Sequence, residues 1–304
     1  MTMQPGTHTD ILRQVPPDTR RHLTTLRDGP GLRHLAGHFG LILALGGYVA
    51  AQAPLWGLAL WPLGIALAFL FTLQHECTHR TPFKTPWLNE IMGHVTGLIL
   101  MQPFLWFRAF HMAHHKYTND PDNDPELAEG KPDTRRALIW HLLSLAYWIS
   151  KARLLWRNAI GPEPASYITR RQSRLIRTEA RAYLAAYAAI TLVMVMVAPW
   201  LFYVWLLPLV LGFPVLRLYL LAEHDRCPHV TDMFANTRTT FTSCAIRALA
   251  WNMPYHAEHH AWPAVPYHRL PDLHAIAKPH LKEIANGYAD FAKDSWKAAQ
   301  TPRS

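Results

Sequence analysis

From residue 34 to residue 75 the chain contains no Asp, Glu, Lys or Arg, and the same is true from residue 182 to residue 216. Few folds tolerate such runs. A helix crosses the hydrocarbon core of a bilayer with about 20 apolar residues, so each run has room for a helical hairpin. In the first, the break falls near Gln52–Pro54. In the second, Pro199 marks the turn and Leu218–Ala222, beyond Arg217, completes the return helix, with a kink expected at Pro214. Pairs of buried core helices in a soluble protein are the alternative, and charge-free runs of this length count against them. Composition agrees: charged residues are 17% of the 304, against about 25% in an ordinary soluble domain. A mean hydropathy of −0.03 still requires a large polar portion in the same chain.

The charges that remain are one-sided. Arg13, Arg20, Arg21, Arg27 and Arg33 precede the first run, and Arg135, Arg136, Lys151, Arg153, Arg157, Arg170, Arg171, Arg174 and Arg177 lie between the two. Short cytoplasmic segments collect Lys and Arg while translocated ones do not. The expected class is therefore an all-α integral membrane protein: four transmembrane helices in two hairpins, both termini cytoplasmic, in the inner membrane if the source is bacterial. The polar N-terminal segment lacks a signal-peptide core and is expected to be retained. Two shorter apolar segments, Ile91–Phe107 and Ala137–Ile149, read as helices lying in the interface with Trp106, Trp140 and Trp148 at headgroup depth. The basic run from Arg170 to Arg181 reads as contact with anionic lipid heads rather than nucleic acid. With no repeat or linker, the chain is expected to be one domain. It would comprise a polar segment 1–33, membrane hairpins 34–74 and 182–222, and a cytoplasmic helical cap from 75–181 and 223–304.

The chain holds 19 histidines but only three cysteines, with no CxxC pair, so any metal chemistry must use nitrogen and oxygen ligands. Eight of the histidines fall in three groups: His75 and His79; His111, His114 and His115; His256, His259 and His260. Residues three and four apart share a helix face, so each group presents its imidazoles over an arc of about 100°. Eight groups that titrate near neutrality make a poor core without a metal. They are also too many for one ion, since a catalytic zinc takes three protein ligands, so a dinuclear site is expected. Imidazole suits Fe, Zn, Cu and Ni alike. The first group also reads His75-Glu76-Cys77-Thr78-His79, the H-E-x-x-H of zinc peptidases, with Glu76 as general base. That alternative leaves the other two groups unexplained.

The three boxes, in this order and separated by paired hydrophobic stretches, resemble the membrane-bound fatty acid desaturase and hydroxylase superfamily. The likeness spans roughly His75 to Pro263 and includes the context Trp251-Asn252-Met253-Pro254-Tyr255 ahead of His256. The resemblance implies a diiron centre in a cytoplasmic cap above a four-helix stalk, with O2 as co-substrate and removal of hydrogen from an unactivated C–H bond. Desaturation, hydroxylation and, in some relatives, decarboxylation to a terminal alkene are the outcomes it covers. It also implies a ninth histidine, for which His224 in Leu221-Ala222-Glu223-His224-Asp225 has the right place and His229 competes. Three residues, not the four of many acyl-CoA desaturases, separate the histidines of the first box, which counts against an acyl-CoA substrate.

A metal-bound imidazole normally donates its other N–H to a carboxylate or carbonyl. Asp120, Asp122, Asp124 and Glu126 after the second box, Glu258 inside the third and Glu76 inside the first are placed for some of them to do this, with a solvated acidic turn as the alternative for Asp122 and Asp124; Asn252 reads as a weak oxygen ligand or a cap. Trp106, Phe107, Phe110 and Trp251 are candidates to line a tunnel for a lipid-like or alkyl substrate. Arg238 is a candidate to hold an anionic head group or a lipid. No cytochrome b5, flavin or nicotinamide motif stands out, so electrons are expected from a separate ferredoxin, rubredoxin or cytochrome b5 type donor, drawn to the basic face.

Overall fold

The computed structural model describes residues 7–299. Two short helices, α1 (His8–Arg13) and α2 (Pro17–Thr24), lead into α3 (Asp28–Ala50). A tight turn with left-handed Gln52 (φ 48°) and Leu55 (φ 61°) reverses the chain into α4 (Trp56–Ala68), which continues past Phe69 as α5 (Leu70–His79). The first charge-free run is thus a helical hairpin with its turn at the expected place. Next come α6 (Pro86–Ile99), α7 (Phe104–Tyr117), α8 (Arg135–Leu143) and α9 (Leu145–Ile160). The second charge-free run occupies α10 (Arg170–Met196), a π-turn at Phe202–Leu206 and α11 (Leu207–His224). The remainder is a set of short helices, α12 (Met233–Asn236), α13 (Cys244–Leu249), α14 (His256–Ala261), α15 (Leu270–Ala277) and α16 (Tyr288–Ala298). A two-residue parallel bridge pairs Thr239–Thr240 with Ile284–Ala285.

Three helical rods among the described residues are long and apolar enough to cross a membrane: Trp56–His79, Arg170–Met196 and Phe202–His224. The helix α3 has 23 residues but is not one of them, because His34, His38 and several glycines dilute its apolar content. Leu43, Leu58, Val195 and Met196 stand more than 70% exposed on this bundle, an apolar surface that water does not favour and lipid does. The π-turn precedes Pro208, whose nitrogen has no hydrogen to donate, while α11 runs through Pro214. An irregularity thus stands ahead of Pro208, in addition to the proline inside α11 at Pro214.

The two shorter apolar segments behave differently from a pair of interfacial helices. The first is split: α6 exposes Trp87 and Ile91 while burying Asn89, Gly93 and Thr96, and the chain then turns at Met101 into α7. Trp106 is not at a surface; it is 7% exposed, packed among Leu154, Ile168 and Ile176 because α9 and α10 cover it. The second is broken at left-handed Ser144 into α8 and α9, with Trp140 exposed and the Trp148 ring 4.4 Å from that of Phe213 at a tilt of 48°.

The tightest packing lies where α4 crosses α11. Gly64 and Gly212 let the two backbones touch: a Cβ on Gly64 would sit 1.8 Å from the Pro208 carbonyl oxygen, and one on Gly212 would sit 2.0 Å from the Gly64 carbonyl carbon. Small residues at helix crossings serve this purpose where lipid removes the hydrophobic drive between helices. Leu63, Leu67, Leu209, Phe213 and Leu216 fill the core around the crossing. Gly212→Ala is expected to cost about 1–3 kcal/mol, as overpacking does, and to lower the melting temperature in detergent. Gly46→Ala, where nothing lies within 4 Å of the added carbon, should leave it unchanged. Equal melting of both variants would contradict the crossing.

Candidate metal centre

Four helix segments converge on one point at the end of the bundle. The last turn of α5 carries His75 and His79 on one face before left-handed Arg80 (φ 60°) ends it. The helix α7 presents His111, His114 and His115, α11 ends on His224, and α14 presents His256, His259 and His260. Seven of these nine rings are buried, and those of His79 and His115 are half-buried.

Their nitrogens divide into two sets. His75, His79, His111, His115 and His259 each offer a nitrogen within 4.8 Å of the others, and His114, His224 and His260 form a second such group. His256 joins the second, its Nε2 being 3.1 Å from His224 Nε2. Nε2 of His79 and His111 are 2.8 Å apart, and those of His114 and His224 are 3.2 Å apart. Nitrogens held about 2.0–2.1 Å from one ion, at angles between square and tetrahedral, lie about 2.8–3.4 Å from each other. These are ligand-to-ligand spacings.

Orphaned atoms test whether a metal fits. Both ring nitrogens of His75, His115 and His259, together with His256 Nδ1 and His260 Nε2, are buried without a hydrogen-bond partner. Each such group costs about 1–3 kcal/mol if left so. Cations between the rings would satisfy the inward-facing ones at once. Burial, followed by mutual repulsion within the cluster, drives the pKa values of His111, His115, His256, His259 and His260 well below 6.5. They are neutral near pH 7, with lone pairs free. Burial also pulls His114 down, but Glu126 and Asp124 outweigh it and raise its pKa.

Outward-facing nitrogens find the oxygens that fix ring orientation. His114 Nδ1 lies 2.9 Å from Asp124 Oδ1, His260 Nδ1 3.0 Å from Thr118 Oγ1, and His224 Nδ1 3.4 Å from the Asn236 carbonyl. Glu76 Oε1 stands 3.7 Å from His259 Nδ1 and 4.0 Å from His75 Nδ1. Other sequence expectations are redirected. Asp120 accepts hydrogen bonds from the Asp122 amide and the Asn123 side chain, so it shapes the turn and reaches no histidine of the cluster. Glu258 bonds His274 and accepts from Thr239 Oγ1 at 2.5 Å, tying α14 to α15 and the strand bridge. Asn252, left-handed at φ 56°, donates to the Tyr267 carbonyl and neither ligates nor caps His256. His229 bonds the Asn119 carbonyl at 2.8 Å, outside the cluster that His224 joins. Arg238 is buried on the Ala222 and Asp225 carbonyls and Glu283, so it secures the end of α11 and holds no head group.

Two further carboxylates stand at the centre: Glu126, one of the acidic residues after the second box, and Glu223, which spacing does not single out. Glu223 Oε1 is 3.4 Å from His256 Nδ1, and Glu126 Oε2 is 3.4 Å from His114 Nε2. Burial pushes the Glu126 carboxyl up, yet Lys131, His114 and His224 hold it well below the usual carboxylate range. The peptidase alternative needs Glu76 to reach a water. Its side chain is 0% exposed, and Oε2 accepts from Thr81 Oγ1 at 2.9 Å and from the Tyr267 amide at 3.1 Å.

A cavity of about 1760 Å³ opens between α7, α8, α9 and α11 and reaches His75, His111, His114 and His256. Trp106, Phe107 and Phe110 line it, Phe110 stacking on Trp106 at 5.2 Å and Phe107 on His111 at 5.5 Å. Trp251 does not: it is fully buried on the opposite side, donating to His38 Nδ1 at 3.1 Å and packing on Tyr267.

A helical bundle of membrane type that gathers nine imidazoles at its end, beside an aromatic-lined cavity, defines a class of metal-dependent membrane enzymes. The chain belongs to the fatty acid desaturase family, whose model matches residues 50–292. It is similar to an sn-1 oleoyl-lipid 12-desaturase of Picosynechococcus, 32% identical over 32% of this chain and 29% of that one. It is also similar to a chloroplastic omega-6 fatty acid desaturase of Brassica napus, 25% identical over 85% of this chain and 61% of that one. An sn-1 acyl-lipid omega-3 desaturase (ferredoxin) of Nostoc is 38% identical over 18% of this chain and 15% of its own. The chain thus spans less than two thirds of the length of these relatives.

Asp124→Asn removes the carboxylate that fixes the His114 ring and is expected to weaken metal binding about 10- to 100-fold. Asp120→Asn should leave it unchanged. Metal titration of the purified protein checks both, and equal affinities would remove Asp124 from the centre.

Proposed function

We propose that the chain is a membrane-bound oxidoreductase that uses O2 and two irons to oxidise an unactivated C–H bond in a lipid-like or alkyl substrate. Desaturation is the favoured outcome, since the relatives it resembles are named desaturases. The observation that carries the reading is the convergence of nine imidazoles in two groups, with both nitrogens of His75, His115 and His259 and one each of His256 and His260 buried without a hydrogen-bond partner. His75, His79, His111, His115 and His259 would hold one ion, and His114, His224, His256 and His260 the other. Two irons would supply the oxidising power that an unactivated C–H bond requires.

The protein's own part is geometry and the exclusion of water. Asp124, Thr118 and the Asn236 carbonyl hold three rings in one tautomer and orientation. Phe107, stacked on His111, and Trp106 and Phe110 beside it offer an apolar wall along which an alkyl chain lies against the centre. Lys116 and Arg153 line the same cavity and suit the polar end of an amphiphile.

The reading extends to topology. Four crossings in two hairpins, with α3 as the fourth, and a cytoplasmic cap formed by 75–181 and 223–304 agree with the one-sided basic charge. A single domain and a multi-pass location follow. Electrons would come from a separate donor. A ferredoxin is favoured over a rubredoxin or cytochrome b5 type protein, in keeping with the name of the Nostoc relative.

Expression in a host of simple lipid composition, followed by mass spectrometry of extracted lipids, tests the reaction. A loss of two hydrogens is expected, absent from His114→Ala and His259→Ala. A gain of one oxygen would mean hydroxylation, loss of CO2 together with two hydrogens would mean terminal-alkene formation, and no product with a competent donor present would overturn the proposal. Purified protein should carry two irons per chain, reduced by His224→Ala and unaffected by His229→Ala.

A further inference from the structure

The two groups of imidazoles are not equivalent in their surroundings. The cavity reaches rings of both, His75 and His111 of the first and His114 and His256 of the second. At the second, a cavity-lining carboxylate meets a ring nitrogen that already faces another histidine. Glu126 Oε2 lies 3.4 Å from His114 Nε2, the same nitrogen that faces His224 Nε2 at 3.2 Å. An oxygen and a nitrogen bound to one ion near 2.1 Å at tetrahedral angles lie about 3.4 Å apart. Asp124 already holds Nδ1 of that ring at 2.9 Å, so Glu126 meets it at the nitrogen turned toward the centre.

The surrounding contacts hold Glu126 there. Asp124 orients the His114 ring through Nδ1 at 2.9 Å, and its Oδ1 also accepts from the Glu126 amide at 2.9 Å. One carboxylate thereby sets the ring and the backbone of the residue that meets it. The other oxygen of Glu126, Oε1, is engaged by the Lys131 ammonium. Only Oε2 is turned to the centre, and the side chain keeps 31% exposure toward the cavity.

We propose that Glu126 is a tenth ligand of the centre, binding the second ion through Oε2 alone while Lys131 holds Oε1. This rests on the two-ion reading above. It makes the ions chemically different, one in an all-nitrogen set and one with an anionic oxygen, which suits iron. The oxygen also supplies negative charge that neutral imidazoles cannot.

Mössbauer spectroscopy of the full-length protein in nanodiscs, loaded anaerobically with 57-iron as the ferrous ion, tests it without reference to turnover. Wild-type protein should show two quadrupole doublets of equal area. Glu126→Gln, of nearly the same shape, should shift one doublet and leave the other. Glu126→Ala should lower the affinity for one of the two irons at least about tenfold, as loss of a ligand does. Two unchanged doublets and unchanged iron affinity in a folded Glu126→Gln protein would overturn the inference, even if the alanine variant does not fold. Wild-type protein that binds fewer than two irons would instead overturn the two-ion reading, so the two failures are distinct.

Discussion

Nine imidazoles meet within one desolvated pocket, and the rest of the molecule is arranged around that meeting. Neutral rings with unpartnered nitrogens are costly to bury, and protonated ones repel each other. Cations between the rings would relieve both costs, and on the two-ion reading folding and metal binding would be coupled. Three rings are set by oxygen partners: Asp124 for His114, Thr118 for His260, the Asn236 carbonyl for His224. Asn119 and Asn236 join the turn after α7 to the segment after α11, through the Cys227 carbonyl at 3.1 Å and the Thr118 carbonyl at 3.1 Å. The polar end of the molecule is thus a hydrogen-bonded frame built to hold rings.

Helical periodicity and charge distribution made much of this legible. Intervals of three and four residues put each box on one helix face, and the first charge-free run marked a helical hairpin with its turn. His224 was legible through the family resemblance, which implies a ninth histidine where the last apolar helix ends. Local backbone conformation hid other features. Trp251 and Asn252 adjoin the third box in sequence, yet both are left-handed (φ 50° and 56°), and the turn they make sends the indole toward His38, away from the cavity. Trp106 looked interfacial because its neighbours are apolar, whereas its burial depends on α9 and α10, far along the chain. Glu126 was among the acidic residues seen to follow the second box, but its contact with His114 Nε2 depends on loop geometry, and Glu223 meets His256 through helix termination, for which spacing carries no signal.

The acidic turn after the second box shows how neighbouring carboxylates acquire separate roles. Asp120 closes the turn on Asn123, Asp124 orients a ring and an amide, and Glu126 faces the centre with Lys131 at its back. Pro121 and Pro125 limit the backbone between them. Identical functional groups within seven residues are separated by geometry rather than by chemistry.

The contact of Gly64 with Gly212 bears on the spacing of the two ligand groups. The helix that contains Gly64 continues into the segment ending at His79, and the helix that contains Gly212 ends at His224. With no side chain between them, the crossing acts as a fixed pivot shared by both arms. Any change that spreads the helices at that point would move both ligand-bearing ends, so the spacing of the two groups depends on a contact several helical turns away from any histidine of the cluster.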